Sequence, residues 1–164
     1  MSNTCQTEYL RAALIHENVL QVVHLIQATV AEKKLEFDTI VFRGLSGALI
    51  APLAAFVLKK ELLVVRKTTE NCHSWYSIEG NMAMQRYLVI DDCICSGDTL
   101  QNIFTTINKE GQRHLDDKIR YQDFYKAQCV GVILYNSSGG RAFFTRSDNT
   151  SVTLFHFSIS NRWL

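Results

Sequence analysis

Apolar positions repeat with a helical period near the start of the chain and form short unbroken blocks after it. From Glu8 to Lys34 there is neither glycine nor proline, and Leu14, Ile15, Val19, Val22, Val23, Ile26 and Val30 follow a 3.6-residue rhythm. That spacing predicts one or two amphipathic helices. Phe37–Phe42 is a β-rich run closed by Arg43-Gly44-Leu45-Ser46-Gly47. The alanine-rich segment Ala48–Leu58 predicts a helix that carries Pro52 near its first turns, where the missing N–H is tolerated. Leu62–Val65 is continuously apolar between Glu61 and Arg66, and Lys67–Met84 has no clean period, which predicts a long loop with some irregular strand. Tyr87–Ile90 is a third apolar run, ending in Asp91-Asp92. Thr99–Glu110 has helical spacing at Leu100, Ile103, Phe104 and Ile107, with Gly111 as its stop signal. A charged stretch from Arg113 to Lys126 precedes a fourth strand, Cys129–Tyr135; then come a turn at Ser137–Gly140 and a last strand, Val152–Ile159.

Strands that are apolar throughout are buried on both faces, and strands alternating with helices imply a parallel sheet. The fold class expected is therefore α/β: an open, mainly parallel twisted sheet flanked by helices. With 164 residues the chain fits one domain, 1–164, with a core of about 37–135. Its 17 basic and 16 acidic residues give a formal charge of +1, which argues against a nucleic-acid partner. The five cysteines (Cys5, Cys72, Cys93, Cys95, Cys129) form no CxxC pair, and the N-terminus lacks the apolar core of a signal peptide. Reduced thiols in a cytoplasmic protein are the expectation, and no apolar run is long enough to cross a bilayer. The five histidines show no metal-ligand spacing.

The most informative segment is Tyr87-Leu88-Val89-Ile90-Asp91-Asp92-Cys93-Ile94-Cys95-Ser96-Gly97-Asp98-Thr99. A buried strand here delivers two adjacent carboxylates to its C-terminal end, where open α/β sheets hold ligands. The turn after it is small and hydroxylated and leads straight into a helix, whose free N–H groups and dipole suit a phosphate. The same acid pair also admits a plainer reading, as a metal site or a solvated strand end.

This run of apolar residues, two acids, two variable residues and a small–Ser–Gly–x–Thr turn resembles the signature of the type I phosphoribosyltransferases. Arg43-Gly44-Leu45-Ser46-Gly47 is similar to their pyrophosphate loop, and Val65-Arg66-Lys67 to the end of their second strand, where a basic residue faces the pyrophosphate; solvated cations are the alternative at Arg66 and Lys67. Thr68–Gly80, with His73, Trp75, Tyr76 and Glu79, occupies the place of the family's flexible lid. The likeness covers Phe37–Thr105 and fades outside it.

The resemblance implies Mg²⁺-dependent transfer of phosphoribose from phosphoribosyl pyrophosphate to a nucleobase, with release of pyrophosphate. In the roles it implies, Asp91 and Asp92 bind the ribose hydroxyls and, through water, Mg²⁺. Cys95, Ser96, Gly97, Asp98 and Thr99 hold the 5-phosphate. Arg43, Gly44, Leu45, Ser46, Gly47 and Arg66 hold the pyrophosphate, and Lys67 neutralises it. The family pattern also implies a homodimer and a hood over the base, for which the terminal segments, including Phe143, Phe144, Phe155, Phe157 and Trp163, are the candidates.

Two residues depart from the pattern. A carboxylate at Asp98 would repel a phosphate, so its side chain is expected to point outward or to cap the helix. Cys95 stands where 6-oxopurine enzymes carry an aspartate, which favours an orotate- or adenine-type site. The rival reading is a regulator of the same fold that senses nucleotides without turning them over and binds a protein or nucleic acid.

Overall fold

The computed structural model describes residues 13–67, 76–116, 121–137 and 139–157. Its elements are α1 (His16–Glu32), β1 (Thr39–Arg43), α2 (Gly44–Leu58), β2 (Glu61–Val65), β3 (Ile78–Gly80), β4 (Arg86–Asp91), α3 (Asp98–Asp116), a 3₁₀ helix (Gln122–Lys126), β5 (Gln128–Leu134), β6 (Phe143–Thr145) and β7 (Ser151–His156). The seven strands form one sheet in the order β3-β2-β1-β4-β5-β7-β6. The five inner strands run parallel and the two edge strands antiparallel. This is the mainly parallel α/β sheet that the sequence predicts.

The apolar strands are buried on both faces because helices cover both. Ile40, Leu88, Ile90 and Ile133 point toward α1 and α2, and Val41, Leu63, Val89 and Val132 toward α3. The parallel register sets the C-terminal ends of β1, β2 and β4 side by side, since Val41 pairs with both Leu63 and Val89. Every loop leaving those ends therefore opens onto one rim of the sheet.

Several boundaries differ from the sequence reading. α2 begins at Gly44 rather than Ala48, so Pro52 lies well inside it. Of the helical segment expected from Glu8 to Lys34, residues 8–12 lie outside the described residues; α1 starts at His16, with Leu14 and Ile15 ahead of it and exposed. Gly111 does not end α3, which continues to Asp116. A Cβ at Gly111 would meet Tyr125 Cα at 2.7 Å, so this glycine admits the 3₁₀ helix against α3. β3 and β6 are three-residue edge strands, too short to leave a periodic signal. Among the described residues no helix is long and apolar enough to cross a membrane. Cys93, Cys95 and Cys129 are free thiols, while Cys5 and Cys72 lie outside the described residues.

Candidate functional site

A cavity of about 250 Å³ opens on the rim where β1, β2 and β4 end. One wall is the segment Asp91–Leu100; Arg43, Gly44, Ser46 and Lys67 form the other. The acid pair, the turn and the basic strand end thus meet although they come from three separate parts of the chain.

Asp91 ends β4 and is almost fully buried, as is Asp92. Asp91 Oδ1 accepts the Ser46 hydroxyl at 3.1 Å and the Asp92 backbone N–H at 3.0 Å. Burial, reinforced by the carboxylate of Asp92, pushes the Asp91 carboxyl up to about 8. Near neutral pH the protonated form of Asp91 is therefore favoured. Tyr135, the residue after β5, donates its hydroxyl to the Ser46 carbonyl at 2.8 Å and so ties the start of α2 to the neighbouring strand. Cys93 Sγ lies 3.5 Å from Asp92 Oδ2.

The turn after the acids is built around Gly97, whose φ of +89° suits glycine. A Cβ there would also meet the Phe144 ring at 2.9 Å. Ser96 Oγ accepts the Asp98 backbone N–H at 3.2 Å and thereby caps α3. The Asp98 carboxylate accepts the same hydroxyl at 2.7 Å. Asp98 is exposed, as expected, and its carboxylate accepts the serine hydroxyl that a phosphate would use.

Across the cavity, Gly44 has φ +72°, and a Cβ there would lie 3.0 Å from Lys67 Cε. Lys67 thus lies over the start of α2, where the helix dipole is positive. Arg43 donates to the Arg66 carbonyl at 2.7 Å, which fastens β1 to the end of β2.

Three residues expected in the pyrophosphate group do not line the cavity. Leu45 projects into solvent. Gly47 faces the sheet, where a Cβ would meet Phe42 Cβ at 2.7 Å, so its smallness serves helix–strand packing. Arg66 is ion-paired with Glu79 on β3. Of the lid expected at Thr68–Gly80, residues 68–75, with His73 and Trp75, lie outside the described residues. Of the hood aromatics, Phe144 packs on Phe104 with ring centroids 6.0 Å apart, Phe155 and Phe157 pack into the core beneath α1 and α2, Phe143 is exposed, and Trp163 lies outside the described residues.

Sequence reasoning missed Tyr135 and the pairing of Glu79 with Arg66. Tyr135 has a visible signal, a polar-tipped residue closing an apolar strand beside the acid pair; the Arg66–Glu79 pair has none, because β3 is so short.

No family model matches the chain. Over 92 residues it is 28% identical to the transcriptional regulator GfcR of Thermoplasma acidophilum, a match spanning 53% of this chain and 44% of the regulator. Adenine phosphoribosyltransferase of Saccharomyces cerevisiae superposes with a TM-score of 0.59 at 13% identity, over 90% of this chain and 82% of that one. Orotate phosphoribosyltransferase of Mycobacterium tuberculosis, in complex with 5-phospho-α-D-ribosyl 1-diphosphate, gives 0.52 at 19% identity, over 79% and 66%. The sheet order, the rim cavity and these superpositions agree: the chain has the fold of the type I phosphoribosyltransferases.

Proposed function

We propose that the rim cavity binds phosphoribosyl pyrophosphate and that the protein, as a homodimer, transfers the phosphoribosyl group to a nucleobase. One observation carries this reading: Asp91, Asp92 and the Ser96–Thr99 turn share a cavity with Lys67 and the start of α2. The acids offer acceptors for two vicinal hydroxyls, and the turn offers N–H donors for a phosphate. Gly44, Ser46 and Lys67 offer a positive end for a second anionic group. Gripping the sugar-phosphate and the leaving pyrophosphate at opposite walls would stabilise the positive charge that develops between them.

The donor set suits Mg²⁺. That ion takes one or two carboxylates and completes its shell with waters and substrate phosphates. Asp92, with Asp91 beside it, would hold it through water, and among the described residues no cluster of three or more ligating side chains is present. When bound, the ion would neutralise part of the leaving group's charge.

The likeness to GfcR and the Asp98 carboxylate in the turn favour a second reading, a nucleotide-sensing regulator that binds the same ligand without turnover. Pyrophosphate release across a panel of nucleobases, with and without Mg²⁺, separates the two. Release with any base supports the enzyme; saturable nucleotide binding with no release across the panel supports the regulator. Absence of both sinks the shared premise.

A further inference from the structure

Tyr135 ties the two walls of the rim cavity to each other. Its backbone N–H donates to the Asp91 carbonyl at 3.1 Å, and its hydroxyl donates to the Ser46 carbonyl at 2.8 Å. The side chain is fully buried, so one fixed residue holds the end of β4 against the first turn of α2. Ser46 makes a second link, because its hydroxyl donates to Asp91 Oδ1 at 3.1 Å. The same oxygen accepts the Asp92 N–H at 3.0 Å. A carboxylate oxygen offers about two lone-pair sites, so Ser46 leaves Oδ1 with none for a sugar hydroxyl. The Ser46 bond is also a long one, since O–H···O bonds usually measure about 2.7–2.8 Å. Ser46 lines the cavity beside Gly44 and Lys67, where the first N–H groups of α2 suit an anion.

We propose that Ser46 is a positioning residue that makes the two walls bind cooperatively. When pyrophosphate binds, the Ser46 hydroxyl turns from Asp91 to the anion, which opens Asp91 Oδ1 to a sugar hydroxyl. This role rests on the reading of the cavity as a phosphoribosyl pyrophosphate site, and it lets one end of the site prepare the other. A serine hydroxyl has a single proton and serves one acceptor at a time. A charged pyrophosphate oxygen takes a stronger hydrogen bond than the long one to Asp91. The proton stays on the serine oxygen throughout. Because Tyr135 holds the Ser46 carbonyl, the exchange is a rotation about the Cα–Cβ bond and the start of α2 stays in place. Coupling is reciprocal, so the sugar-phosphate tightens pyrophosphate by the same factor. Without the exchange only the repulsion between two anions in one cavity remains, and each weakens the other.

Calorimetric titration of the full chain with ribose 5-phosphate, alone and at saturating magnesium pyrophosphate, tests the proposal. Wild type should bind ribose 5-phosphate about fivefold more tightly when pyrophosphate is present, the lower end of ordinary coupling between sites. Ser46→Ala should bind ribose 5-phosphate alone more tightly than wild type, because Asp91 Oδ1 is already open. Pyrophosphate should then weaken that binding rather than strengthen it. A residue with a merely structural role would not reverse the sign of the coupling. Ser46→Thr, which keeps a hydroxyl, should restore the gain. An equal gain in wild type and Ser46→Ala, or weaker binding of ribose 5-phosphate alone by Ser46→Ala, would overturn the coupling and leave the site reading standing. So would a wild type with no gain, or a Ser46→Thr variant that behaves as Ser46→Ala does. A wild type that binds neither ligand would overturn the site reading, and the coupling with it.

Discussion

The two walls of the cavity are built in opposite ways. The acid–phosphate wall is one contiguous stretch, Asp91–Thr99, in which a strand end, a turn and a helix start follow without interruption. The pyrophosphate wall is assembled from the end of β1, the start of α2 and the end of β2, which only the parallel register makes neighbours. A contiguous wall has its geometry written in residue order. An assembled wall depends on which cations the fold leaves uncommitted, and here it ties Arg66 to Glu79 while leaving Lys67 at the cavity.

This difference can be tested by damaging one wall at a time. The largest effect is expected at Asp92. Asp92→Asn should lower phosphoribosyl transfer by on the order of 10²–10³-fold, the usual scale for removing one preorganised charge from a reacting centre. Its melting temperature should stay close to that of wild type, which steady-state kinetics beside thermal denaturation would check.

Next is Gly97→Val. A non-glycine residue at φ +89°, with a ring 2.9 Å from its Cβ, should cost about 1–3 kcal/mol in denaturant unfolding. The same variant should lose ribose 5-phosphate binding. Gly44→Ala on the opposite wall is also strained, at φ +72°, but should cost less, since its new methyl would meet the far end of the flexible Lys67 rather than an aromatic ring.

The third prediction concerns pH. Asp91 is raised to about 8 in the folded chain against an ordinary value near 4, so between those limits the folded state holds a proton that the unfolded state has released. Stability from this group is therefore present below about pH 4 and is lost progressively as pH rises toward 8. Asp91→Asn should remove that part of the decline, which urea midpoints measured across the window for both proteins would reveal.

The smallest effects separate the two cations. Lys67→Ala should weaken pyrophosphate binding roughly tenfold, about 1.4 kcal/mol, and leave ribose 5-phosphate binding unchanged. Arg66→Ala should change stability by no more than about 1 kcal/mol, because its partner Glu79 is half exposed, and should leave pyrophosphate affinity nearly unaltered. Calorimetric titration with each ligand distinguishes them. Equal losses at the two positions would erase the contrast between committed and available cations.

The same contrast explains what could be read without coordinates. The inner strands and the acid–phosphate turn were legible because both are local patterns: an apolar block, then a fixed order of acids, serine, glycine and threonine. The start of α2 was placed too late because Gly44–Gly47 resembles a loop in composition, yet its last three residues turn helically against Phe42 and Tyr135. Gly111 looked like a helix stop and proves to be a packing notch for Tyr125, a reason that lies in another element. The fate of Arg66 was hidden because its partner sits on a three-residue strand without periodicity. Asp98 was singled out as discordant, but the hydroxyl it binds could be found only in three dimensions.

The central claim is that a sugar-phosphate sits between the acid pair and the amides of the turn. Nitrogen-15 NMR of the protein titrated with ribose 5-phosphate addresses it most directly. Saturable shifts are expected at the backbone amides of Gly97, Asp98 and Thr99, with Asp92 moving in step. A titration that leaves those four amides still, or moves only residues away from the rim, would contradict it.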